Sequence, residues 1–153
     1  MIIRDRFALG ALAAQIATIP QLLLNVCAVQ LGFTKYYSFQ ISGSIYLFKK
    51  LTLTPGGILL GILTWILMAA ILGIITSYII FWTGKDFWWL KGAIVSNAIM
   101  YTMVYGFIFA MGGPKIIPWD LGTNLSLFFD NLVFGILTGY LVAHWSVPEP
   151  NKP

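Results

Sequence analysis

A carboxylate buried among apolar residues is the first place to look for chemistry in this 153-residue chain. Asp130, inside the run Leu121 to Trp145, is the acidic residue that interrupts a long apolar stretch. Ionisable groups at membrane depth are costly to keep and are functional candidates by default. If a helix begins at Leu121, Asp130 lies about 13 Å inside it; if hydrocarbon begins nearer Leu125, it lies about 7 Å deep. Two readings follow. One is a protonatable or cation-binding carboxylate in a hydrated cavity. The other is an Asp near a helix start, favoured by the helix dipole and hydrogen-bonded to Asn131 or a neighbouring tyrosine.

Amides and hydroxyls form a second group. Gln15, Thr18, Gln21 and Asn25 fall within about 120° of one helical face at roughly 100° per residue. Pro20, in the same run, removes a backbone donor and frees the Ile16 carbonyl, which predicts a kink. Such a stripe either lines a polar pathway or bonds across to another helix, where each bond contributes about 0.6 to 2 kcal/mol. Asn97, Tyr101 and Tyr105 follow at i, i+4, i+8, a line suited to one internal network with Asp130 or the first-span amides. Tyrosine hydroxyls are equally well satisfied by any nearby carbonyl. His144, beside Trp145, reads as an interfacial residue, because a proton shuttle there needs a partner that its own helix does not supply.

One cysteine, Cys27, and one histidine supply neither an intrachain disulfide nor a metal cage from a single chain, so no metal and no cofactor is expected. HExxH, GxSxG, a phosphate-binding glycine loop and a paired-carboxylate cluster are missing from the sequence. Gly112, Gly113, Pro114 and Lys115 resemble a phosphate loop in composition only and suit a turn between spans. The expectation is a protein that is not an enzyme.

The elements that must position these groups are set by composition. Hydrophobic residues make up 59% of the chain and charged residues 9%, against roughly 25% charged in a soluble domain, and the mean hydropathy is +0.85. This excludes a water-soluble globule, a nucleic-acid module and a disordered chain, and leaves an integral membrane protein. The net charge of +4 is scattered and makes no nucleic-acid face. Lysines beside apolar spans read instead as topology signals and contacts to anionic headgroups.

Four apolar spans are expected, at about 7–33, 56–82, 90–111 and 121–145, with a polar tail over 146–153. The first is too long for a signal-peptide core and reads as a retained anchor. The second holds 27 uncharged residues, more than the roughly 30 Å of hydrocarbon requires, so it tilts or protrudes. Barrel strands are excluded because they run to about ten residues with alternating polarity. Trp82, Trp88, Trp89, Trp119 and Trp145 fall at span ends, where amphipathic rings prefer the headgroup layer. The fold class is therefore an all-α four-helix transmembrane bundle forming a single domain.

Between the first two spans, Ile41, Ile45 and Phe48 follow an i, i+4, i+7 pattern with Ser38, Ser42 and Lys49 off it. This suits an interfacial helix over about 36–51 with Lys49 and Lys50 toward lipid phosphate; an ordered loop over the bundle mouth suits it equally. Four spans put both termini on one side. The basic residues there (Arg4, Arg6, Lys85, Lys91 and Lys152, against Lys35, Lys49, Lys50 and Lys115 opposite) favour cytoplasmic termini. Small residues recur at four-residue spacing in Gly10 and Ala14, Ala13 and Ala17, Gly57 and Gly61, Ala69 with Gly73 and Ser77, Gly106 and Ala110, and Gly135 and Gly139. That spacing lets helix backbones approach within the chain or between copies.

Gly32, Phe33, Thr34 and Lys35 after the first span, the pair Lys49 and Lys50, Lys91 and Gly92 opening the third span, and Gly135, Gly139 and Tyr140 in the fourth together resemble the YqhR-type family of small four-span membrane proteins from spore-forming Gram-positive bacteria. The resemblance implies a four-span topology and a bacterial plasma membrane, and it carries no biochemical role; Asp130 and the amide stripe stand outside it. The expected function is a non-enzymatic structural, accessory or oligomer-forming membrane subunit. The lipid bilayer is its expected partner, with a homo-oligomer or larger membrane complex beyond that and no nucleic acid. The alternative is a small proton- or cation-linked transporter or channel using Asp130 and the polar face of the first span.

Overall fold

The computed structural model describes residues 2–106 and 120–147, and these are all-helical. Three helices are long and apolar enough to cross a membrane: α1 (Arg6–Gln30), α4 (Pro55–Thr83) and α6 (Leu121–Trp145). Two short helices, α2 (Ser38–Gly43) and α3 (Lys49–Thr52), lie between α1 and α4. Helix α5 (Trp88–Ser96) runs directly into a π-helical stretch, π1 (Asn97–Gly106).

Each long helix starts on a side chain that answers its orphan N–H groups. The Asp5 carboxylate accepts from the Phe7 and Ala8 amides at 2.8 and 3.1 Å. The Thr54 hydroxyl accepts from Gly57 at 3.2 Å, with Pro55 at the first helical position. Asp120 accepts from the Thr123 amide at 2.9 Å. Helix α1 continues through Pro20 and ends where Gly32 takes φ 76°. There the Phe33 and Gly32 amides reach back to the Ala28 and Val29 carbonyls, the double bond of a Schellman ending.

The third apolar stretch departs from the expected single α-helix over 90–111. Only nine residues are α-helical before the turns widen at Asn97. At that junction the Asn97 side chain donates to the Ala93 carbonyl at 3.2 Å, sharing it with the helix backbone, the competition that amide side chains bring to helix interiors. Residues 107–111, with the Gly106 and Ala110 pair, the Gly112 to Lys115 turn and Trp119, lie outside the described residues.

The connection over 36–51 is likewise not one interfacial helix. Ile41 is fully buried, and Ser38, Ser42 and Ser44 are buried with it, whereas Phe48 is exposed. Helix α2 has sunk into the mouth of the bundle against the first two turns of α4, because Gly43 meets Gly57 and Gly61: a methyl on Gly43 would lie 3.1 Å from the Gly61 Cα. With glycine on both sides the two backbones close up.

Contacts between helix ends fix the directions. The Ile3 amide donates to the Trp145 carbonyl at 2.9 Å, and the Lys85 ammonium to the Ser146 carbonyl at 3.2 Å, so the start of α1 and the ends of α4 and α6 lie together. Arg6 stacks its guanidinium over Phe81 at this end. At the opposite end, Asn25 meets Asp130 beneath α2. About one turn into α1 and α5 the helices touch their neighbours through backbone. A methyl on Gly10 would overlap the Gly73 carbonyl, and one on Gly92 the Gly135 carbonyl.

Candidate functional site

Asp130 lies on the inward face of α6 and is 4% exposed. Its partner comes from the other end of the sequence. Asn25, fully buried on α1, donates from Nδ2 to Asp130 Oδ2 at 3.1 Å, and its Oδ1 accepts from the Ser38 backbone N–H at 2.9 Å. A backbone N–H can only donate, so Oδ1 must face Ser38 and Nδ2 must face the carboxylate; the bonding leaves the amide no choice of orientation. One side chain thus ties α1, α2 and α6 together. The other Asp130 oxygen receives no hydrogen bond among the described residues.

Of the two partners expected for the carboxylate, a tyrosine and Asn131, the second bonds elsewhere. Asn131, 5% exposed, turns its Nδ2 to the Leu127 carbonyl of its own helix at 2.8 Å, and its backbone carbonyl accepts from Ser96 Oγ of α5 at 2.8 Å. Asn97 bonds its own helix and leaves Oδ1 buried without a partner among the described residues. The side chains of Tyr101 and Tyr105 lie outside the described residues.

The first-span stripe divides. Gln15 crosses to α4, donating from Nε2 to the Ile66 carbonyl at 2.9 Å. Thr18 returns its hydroxyl to the Gln15 carbonyl at 2.6 Å. Gln21, 5% exposed, lines a small cavity between α1, α4, π1 and α6 that Asn131 also lines. Asn25 makes the network described above.

The glycines of the sequence pattern sit at backbone crossings. A methyl on Gly57 would overlap the Leu51 carbonyl, one on Gly61 the Phe39 carbonyl, one on Gly135 the Gly92 carbonyl and one on Gly139 the Trp88 carbonyl. Gly92, named from the sequence only in the family resemblance, belongs with these small-residue pairs, since Gly92 and Ser96 carry the same four-residue spacing.

Lys49 and Lys50 are exposed on α3. Lys85 and Lys91 instead close helix ends. Lys91 Nζ donates to the Thr83 and Gly84 carbonyls at 3.2 and 2.8 Å, where α4 stops at Gly84 with φ 85°. These are the carbonyls that a helix C-terminus leaves open. His144 Nδ1 lies 2.9 Å from the Tyr140 carbonyl, so that nitrogen carries the proton, and the ring packs 4.1 Å from Tyr140 with Trp88 alongside. Cys27 is exposed and unpaired, and no group of three His, Cys, Asp or Glu side chains able to hold a metal occurs among the described residues.

Chemically, the arrangement is a buried carboxylate held by one neutral amide, with further amides directed between helices. No protein-family model, no curated protein and no solved structure matches the chain.

Proposed function

We propose that this protein is a non-enzymatic, four-crossing membrane protein acting as a structural, accessory or oligomer-forming subunit. The observation that carries this reading is where the interior polar groups bond. Gln15 reaches α4, Asn25 reaches both Asp130 and Ser38, and Ser96 reaches Asn131. Polar side chains bonded helix to helix act as fasteners in hydrocarbon, where apolar burial no longer drives association.

The fourth crossing is the one made by 88–106. Helix α4 ends beside Ser146, and α6 starts beyond Asp130 at the lid end. If the three long helices span, the chain must return across between them. Nine α-helical residues at about 1.5 Å each and ten wider-turned residues that rise less come to roughly 25 Å, most of the roughly 30 Å hydrocarbon thickness. The setting proposed is the bacterial plasma membrane that the YqhR-type resemblance implies. Arg4 and Arg6 before α1 favour cytoplasmic termini, which would set the exposed Lys49 and Lys50 toward headgroups on the other face.

One observation favours the transport alternative: Asp130 keeps an oxygen without a donor among the described residues while nearly fully buried. Proteoliposome flux separates the readings. The scaffold reading expects no proton or cation flux above empty liposomes for the wild type. Reproducible wild-type flux that disappears in Asp130→Asn, which keeps the hydrogen bond and loses the exchangeable proton, replaces it with the transporter.

A further inference from the structure

Gln21 is the interior amide that the network around Asp130 does not absorb. It is 5% exposed, and neither its Nε2 nor its Oε1 bonds to any described residue. A buried amide without partners is unfavourable enough that almost all of them are satisfied by protein or by ordered water. Its side chain lines the cavity between α1, α4, π1 and α6, whose walls also include Trp65, Met68, Met100, Phe134 and Asn131. Asn131 uses Nδ2 on the Leu127 carbonyl, which leaves Oδ1 as an acceptor. The two amides make no direct hydrogen bond to each other.

The cavity leaves about 10 Å³ for the centre of a water molecule, the room that one water needs, and a water needs at least two polar partners. Both conditions meet here. We infer that Gln21 and Asn131 form a binding site for a single structural water, which accepts from Gln21 Nε2–H and donates to Asn131 Oδ1. A cation is disfavoured because the polar groups lining the cavity are neutral amides, and an apolar occupant would leave both amides unpaired. The bridge joins α1 to α6 beside the Asn25 and Asp130 bond, one helical turn along α1 and one residue along α6, so the two helices are linked twice: once directly and once through solvent. This holds whether the protein is a scaffold or a carrier.

Two measurements on the full chain in lipid nanodiscs test it. The first is X-ray radiolytic labelling in ¹⁸O water, read by mass spectrometry at Met100, which lines the cavity and is 5% exposed. Hydroxyl radicals made from a bound water attack the nearest sulfur, so Met100 should take up label in the wild type and fall to background in Gln21→Leu. The second is a double-mutant cycle in melting temperature. Gln21→Leu and Asn131→Leu should each lower Tm by about 2 °C or more, and the double variant should lose less than the sum, because neither half of the bridge is then left unpaired. Gln21→Met, which keeps the side-chain length, replaces Gln21→Leu if that variant does not assemble. Unchanged Met100 labelling in the Gln21 variant, or a Gln21 variant that melts above the wild type, overturns the water site: the first removes the water, and the second marks a dry cavity with an unfavourable amide.

Discussion

Replacing Asn25 by Leu should damage this protein more than any change at Asp130. The substitution removes the donor to Asp130 Oδ2 and the acceptor of the Ser38 N–H at once, orphaning two buried groups on two different elements. Each orphaned group costs about 1–3 kcal/mol in a protein interior, while bonds between membrane helices average nearer 0.6–2 kcal/mol because the dissociated helices also find partners. Together these give a loss of about 2–4 kcal/mol for Asn25→Leu. Asp130→Leu orphans only Asn25 Nδ2, for a loss of about 1–2 kcal/mol, and Asp130→Asn keeps an accepting oxygen and should change stability by less than about 1 kcal/mol. At roughly 2–4 °C per kcal/mol, Asn25→Leu should melt about 4–16 °C below the wild type, followed from the bottom by Asp130→Leu and then Asp130→Asn. Tryptophan emission during heating in mild detergent reads this, since Trp65 lies in the core. Limited trypsin digestion supplies a local readout. Loss of the Ser38 tether should loosen α2 and speed cleavage at the exposed Lys49 and Lys50 more than it lowers global stability. An Asn25→Leu protein that melts within about 1 °C of the wild type, or a ranking with Asp130→Leu lowest, would refute the argument that Asn25 is the node joining α1, α2 and α6.

Gly92→Ala and Gly73→Ala should each cost about 1–3 kcal/mol, because the new methyl overlaps a backbone carbonyl of the facing helix, whereas Gly56→Ala, with nothing within 4 Å of its position, should be neutral or slightly stabilising; thermal melts of the three variants in one detergent compare them directly. At the start of α6, the Thr123 backbone N–H, aided by its hydroxyl and the charge of Lys35 and opposed by burial, holds the Asp120 carboxyl below the usual carboxylate range. A depressed pKa gives a contribution that is complete above the unfolded value near 3.9 and is lost as pH falls through the lower folded value. Asp120→Asn should therefore flatten the fall in melting temperature below about pH 4, and an unchanged acid limb would assign that fall to other carboxyls. Cysteine-accessibility labelling in a Cys27-free background should place positions 2 and 152 both on the cytoplasmic face; external labelling at 152 reverses the orientation, and opposite labelling of the two removes the even number of crossings.

Much of the architecture was legible in the residue order because a bilayer imposes a length on any segment that crosses it. An apolar run such as 56–82 exceeds that length whatever its neighbours are, and α4 occupies Pro55–Thr83. The short-range chemistry of ends is equally local: Asp120 followed three residues later by Thr123, or Gly32 after α1, works through bonds to nearby amides. Asp130 and the first-span amides stood out for a similar reason, since any polar residue in such a run must find a partner. Which partner it finds is another matter. Asn25 and Asp130 are 105 residues apart, and their meeting depends on the rotation and depth of α1 against α6, which a period of about 100° per residue leaves free. Each of the two helices is fixed against another neighbour where side chains vanish, α1 against α4 at Gly10 and Gly73, and α6 against α5 at Gly135 and Gly92. A glycine in one sequence segment says only that a close approach is permitted there, and the facing glycine decides whether it happens. The burial of α2 follows the same rule. Ser38, Ser42 and Lys49 read locally as the polar side of a surface helix, and only the glycines of α4 opposite Gly43 allow the backbones near enough for Ile41 and its serines to sink together. Element length and end chemistry are properties of one segment in its solvent, whereas helix rotation, lid burial and the identity of a carboxylate's partner are properties of pairs, decided by the fit of two surfaces that only the folded chain brings together.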